Sequence, residues 1–66
     1  MGVKSRLKEI RMREYLMNQS EFAKFLDIPL TTYSQWERNV SNPTLEKAYE
    51  IAKKLNKSLE EIWHYE

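Results

Sequence analysis

The chain has 66 residues, no cysteine, one glycine and a formal net charge of +1, with 32% of its residues charged. At that length only one small core is available, and with neither a disulfide framework nor a zinc-ligand set it must come from well-matched helices or a partner subunit. No apolar run suits a signal peptide or approaches the roughly 20 residues of a membrane span, so the chain is expected to be soluble, cytoplasmic and a single domain over residues 1–66.

Helical periodicity dominates, no alternating strand pattern is visible, and five short helices are predicted. The first runs from about Ser5 to Glu14, with Val3, Leu7 and Ile10 spaced to share a face. Lys4, Arg6, Lys8, Arg11 and Arg13 crowd it against the lone early acid Glu9, which reads either as a basic edge or as an ordinary solvated face. The second helix opens at "NQSE", where Asn18 can cap while Glu21 reaches back as in a capping box, and it is expected to bury Phe22, Ala23 and Leu26. The third lies within "LDIPLTTYSQWERN", Leu26 to Asn39, with Pro29 pre-setting the backbone for the first turn. A fourth helix from about Thr44 carries Leu45, Ala48, Tyr49, Ile51, Ala52 and Leu55, and "SLEE" caps a last helix from Ser58 that holds Leu59, Ile62 and Trp63. Because the sole glycine is Gly2, the left-handed residues that end helices are expected at Asp27, Asn39 and Asn56.

The third helix carries the functional signal. On a helical wheel Thr32, Tyr33 and Trp36 fall together on a packing face, while Leu30, Thr31, Ser34, Gln35 and Arg38 point elsewhere. That outer set combines short hydrogen-bonding groups, an amide and a cation, with no acid to repel phosphate. A glutamine can pair bidentately with adenine N6 and N7, and threonine or leucine carbons can meet the thymine methyl. The bland alternative is a polar face that only keeps the helix soluble.

The order and spacing of the motifs decide between these. Gln19 opens helix two, Ala23 sits at the helix-helix contact, "SQWER" lies in helix three, "NP" follows at 42–43, and "IAKKLNKSLEEIW" closes the core. In that order they resemble the helix-turn-helix family of phage repressors, Cro proteins and related bacterial regulators, from about Leu7 to Trp63. The resemblance implies an all-α fold, a compact bundle of five short helices, whose third helix lies in the major groove. It makes Leu30, Thr31, Ser34 and Gln35 base readers, Gln35 foremost. It also assigns phosphate contacts to Asn18, Gln19, Arg38, Asn39, Ser41 and Asn42, which position the protein without specifying sequence. Arg11 and Glu37 match a structural ion pair tying helix one to helix three. Four departures stand out: Asp27 where glycine is usual, Pro29 where a serine or threonine cap is usual, Leu30, apolar where a polar reader is common, and "MREYLM", about one residue longer than the common spacing.

Trp36 and Tyr33 read as core, and Phe25 as a cover for the end of the core or a partner contact. His64 is the only histidine and has no second ligand at metal spacing. No catalytic triad or glycine-rich phosphate loop is legible, so no enzyme, cofactor, metal or small-molecule ligand is expected. The reading is a nucleoid-associated, sequence-specific regulator of double-stranded DNA, a repressor of phage or mobile-element type on a near-palindromic operator. Leu59, Ile62, Trp63 and Tyr65 form a candidate homodimer surface, with closure of the monomer core by Ile62 and Trp63 as the alternative. The rivals are a protein-interaction module, such as an antitoxin or adaptor, and the DNA-binding part of a longer regulator.

Overall fold

In the computed structural model, which describes residues 2–66, the two ends of the chain meet in a sheet that periodicity did not anticipate. Strand β1 (Val3–Ser5) pairs antiparallel with β2 (Trp63–Tyr65), placing Val3 opposite Tyr65, Lys4 opposite His64 and Ser5 opposite Trp63. Gly2 and Glu66 exchange backbone bonds of 2.8 and 2.9 Å beyond the strands, and the Arg6 N–H donates to the Ile62 carbonyl at 2.7 Å. The first helix therefore begins at Leu7, not Ser5, and Val3 is an exposed strand residue outside the Leu7 and Ile10 face. A fold that is helical elsewhere thus gains a small sheet, and "all-α" holds only approximately.

Helix α1 (Leu7–Ile10) continues as a π-helical turn over Arg11–Tyr15. Its wider ring lets the Leu16 N–H reach back to the Arg11 carbonyl, and Leu16 ends it in the left-handed region at φ 54°. This is how the extra residue of "MREYLM" is absorbed. The expanded turn brings Tyr15 against Phe22 and Phe25, with ring centroids 5.2 and 5.3 Å away. Leu16 itself is left 83% exposed.

Helices α2 (Gln19–Phe25), α3 (Leu30–Glu37), α4 (Leu45–Leu55) and α5 (Leu59–Ile62) follow. Both halves of the capping box form at α2, the Glu21 N–H donating to Asn18 Oδ1 at 2.8 Å and the Asn18 N–H to Glu21 Oε1 at 3.0 Å. Thr44 caps α4, and Ser58 with Glu61 forms a second box at α5. Pro29 stands one position earlier than expected, as the N-cap of α3 with extended ψ of 143° and no side-chain bond. Asp27, Asn39 and Asn56 sit at φ 61, 62 and 56°. After each, the next N–H reaches back to a carbonyl five residues earlier, as in Ile28 to Ala23 and Lys57 to Ala52, both at 3.0 Å. That bond fills carbonyls the helix end would leave bare.

Leu7, Phe22, Tyr33 and Ile62 are fully enclosed, joined by Ile10, Ala23, Leu26, Trp36, Ala48, Ile51, Ala52 and Leu55. On α4 the periodic run divides: Ala48, Ile51, Ala52 and Leu55 face inward, while Leu45 and Tyr49 share the outer face. Of the two readings of Ile62 and Trp63, as dimer surface or as closure of the monomer core, burial favours the second. Ile62 has no exposed surface and Trp63 only 7%, because the chain leaves α5 at Trp63 in an extended conformation that turns the indole onto the core. Burying each such side chain stabilises the fold by roughly 1.5–3 kcal/mol, so neither is available to a second copy. Leu59 is half-buried and Tyr65 exposed.

Candidate nucleic-acid interface

Helix α3 presents two chemically distinct faces because of where its one acid points. Tyr33 and Trp36 are buried against α1 and α2, and Tyr33 meets Phe22 edge-on at a centroid distance of 5.6 Å. On the same inner side the Glu37 carboxylate, with 3% of its side chain exposed, lies 2.8 Å from Arg11 Nε. It also accepts from Gln19 Nε2 at 2.8 Å and from the Tyr33 hydroxyl. Arg11 uses its remaining reach to donate through Nη1 to the Met17 carbonyl at 2.9 Å. One carboxylate thus joins the first helical segment, the start of α2 and the length of α3.

The electrostatics follow. Burial alone would raise the Glu37 carboxyl, but hydrogen bonds from Arg11, Tyr33 and Gln19 outweigh it and hold the group below the ordinary carboxylate range. The Glu37 bond raises Arg11 in turn, while burial first and then the carboxylate push the Tyr33 hydroxyl up. The pair is a stably charged clamp, and its negative charge is withdrawn from the outer face.

That outer face carries Leu30 and Thr31 exposed and Ser34 and Gln35 half-buried, with Arg38 exposed just beyond the helix end. Of these Leu30 is the unusual one, an apolar side chain 46% exposed. The other expected contacts divide. Asn18 uses Oδ1 as the α2 cap, leaving its amide nitrogen free to donate. Gln19 turns its amide nitrogen inward to Glu37. Asn39 Oδ1 accepts the Ser5 N–H at 2.9 Å, and the Ser5 hydroxyl donates to the Trp36 carbonyl at 3.0 Å, so β1 is fastened to the end of α3. The Ser41 hydroxyl donates to Gln35 Oε1 at 3.3 Å. Asn42 lies apart, at the rim of an apolar groove of about 550 Å³ with Val3, Leu45, Leu59 and Tyr65. The tie of Gln19 to Glu37 and that of Ser5 to Asn39 escape the sequence reading, since each joins residues far apart in the chain and follows no local pattern.

Phe25 closes one end of the core, stacked with Phe22 at a centroid distance of 6.0 Å and covered by Lys54 Nζ at 5.2 Å. Among the described residues no helix is long and apolar enough to cross a membrane.

A family model described as helix-turn-helix matches residues 7–62, from the first residue of α1 to the last of α5. Among curated proteins, one named as an uncharacterized HTH-type transcriptional regulator of Archaeoglobus fulgidus is 33% identical over 64 residues, spanning 97% of this chain and 89% of the relative.

Proposed function

The chain belongs to the XRE/Cro-like helix-turn-helix family of DNA-binding transcription regulators, and from that premise we propose that it is a repressor of phage or mobile-element type reading a near-palindromic operator. The observation that carries this is the outer face of α3, from which the helix's only acid has been turned away. With α3 in the major groove, Leu30, Thr31, Ser34 and Gln35 face base edges. Asn18, Gln19, Arg38, Asn39 and Asn42 are the candidate phosphate contacts that seat the helix.

Two copies on an inverted repeat would stand about one helical turn, roughly 34 Å, apart. The corrected surface for their association is Leu59 and Tyr65 together with Val3 and Leu45, the exposed or half-buried apolar residues around the groove. Residues 1–66 act as one DNA-binding domain in the cytoplasm in this reading. Selection from a randomised duplex library, then titration of the enriched sequence across a salt series, tests it. An enriched inverted repeat whose affinity falls steeply with salt is expected. No enrichment, with only weak salt-sensitive binding, would replace operator reading by a protein-interaction role.

A further inference from the structure

Among the described residues Gln35 is the one side chain on the outer face of α3 with a side-chain hydrogen-bond partner, and we propose that this partner, Ser41, positions it: Ser41 is a positioning residue for base reading, not a backbone contact. The inference rests on the operator reading above and deepens it. Asn39, in the left-handed region, folds the chain back over the last turn, with the Asn39 N–H bonded to the Trp36 carbonyl at 3.2 Å and the Val40 N–H to the Gln35 carbonyl at 2.9 Å. That turn delivers Ser41 onto the Gln35 side chain, where its hydroxyl donates to Oε1 at 3.3 Å. Asn39 is itself held by the Ser5 N–H. A continuous series of bonds therefore runs from β1, through the helix cap, to a carboxamide on the reading face.

A carboxamide is nearly symmetric in shape and opposite in polarity at its two ends, so an unheld glutamine can rotate to offer donor or acceptor at equal steric cost. Ser41 holds one end of the carboxamide and so limits where it can go; in the structure the held end is Oε1, with the amine leading outward. In that orientation Gln35 meets base edges rich in acceptors, guanine N7 and O6 above all; because a hydroxyl can also accept from the amine, what Ser41 fixes is the place of the carboxamide and not its polarity.

Library selections on the wild type, Ser41→Ala, Ser41→Thr, Ser41→Val and Gln35→Glu test this, with binding to each enriched site measured for all four base pairs at every position. Ser41→Ala is expected to flatten preference at one base pair per half-site by about 3- to 10-fold, the worth of one neutral hydrogen bond. Ser41→Thr, which keeps the hydroxyl, restores it. Gln35→Glu, which leaves only acceptors at that side chain, moves preference at that same position toward the cytosine amine and so marks the base pair that Gln35 reads; Ser41→Val, which keeps the size of threonine without its hydroxyl, gives the alanine result again should the alanine variant not fold. A Ser41→Ala loss that is equal on all sequences, or a Gln35→Glu preference that does not move, overturns the positioning role while leaving operator reading intact. A wild type that enriches no sequence overturns both.

Discussion

Around α3, three side chains from three segments converge on the single carboxylate of Glu37, and every polar group brought inside has a partner. Around the sheet the opposite holds: Trp63 Nε1 and His64 Nδ1 are buried with no hydrogen-bond partner among the described residues, and the groove beside them is lined largely by apolar side chains. The first region is held by directional bonds, which fix one geometry. The second is held by packing and a three-residue ladder. A helix that must present side chains to base edges within a fraction of an ångström needs the first kind of support, whereas a surface that only has to close the core, or meet a second apolar surface, can use the second.

The sharpest way to break the contrast is to remove its centre. Glu37→Ala leaves the Arg11 guanidinium, 11% exposed, without its carboxylate, and breaking such a pair from one side costs about 3–5 kcal/mol. For a domain of this size a denaturant titration should show most of the stability lost. The pH dependence gives a second view. Because the folded Glu37 lies below its ordinary value of 4.5, its contribution is fully present above that value and disappears as pH falls through the depressed one. Wild-type stability should therefore fall on acidification below about pH 4.5, and Glu37→Gln should remove that part of the fall. An unchanged acid transition in the variant would mean that other carboxylates govern it.

Gln35→Ala comes next and should separate reading from folding. At the base pair it contacts, the loss is expected to be about 1–3 kcal/mol of discrimination, while thermal stability stays near wild type because Gln35 is only half-buried. A drop in stability without a change in base preference would return the outer face of α3 to scaffold.

The two regions also differ in how much of them the sequence discloses. The helix starts at Asn18, Thr44 and Ser58 and the turns at Asp27, Asn39 and Asn56 are local: a cap and its partner lie three residues apart, and the left-handed residue is visible by its type. The inner and outer faces of α3 follow from a 3.6-residue period. The sheet is hidden because each strand is three residues long, too short to alternate, and its partner lies at the other end of the chain. For the same reason Trp63 reads as a helical residue when it is the first of β2, and the choice between core and dimer surface for its indole stays open in the sequence. Arg11 and Glu37 are legible only through family resemblance, and the bond from Gln19 to Glu37 is hidden because nothing local points that side chain inward.

Leu16 sits where the clamped region begins. A leucine at φ 54° with 83% of its surface exposed bears the cost of left-handed backbone, roughly 1–2 kcal/mol, with almost no burial to offset it. Leu16→Asn is expected to raise stability by about 1 kcal/mol, read as a higher melting temperature with operator affinity unchanged. If affinity falls while stability rises, the π-helical turn is part of how α2 is seated on DNA and the strain there has a function.

The smallest effect on folding is expected at the groove, and its smallness is what makes it informative. Leu45 and Tyr65 are 66% and 73% exposed, so Leu45→Ser and Tyr65→Ser should each change monomer stability by no more than about 0.5 kcal/mol. If the groove is where two copies meet on an inverted repeat, the same changes should weaken occupancy of the full operator while leaving binding to a single half-site as it was. Sedimentation across a concentration series, with and without operator, would register the difference. Wild type and both variants sedimenting as monomers on full-length operator at saturating concentration would remove the groove from the interface. The exposed apolar residues would then be left as the unburied rim of a small core, while the clamp around Glu37 would keep its role, since its geometry is complete within one chain.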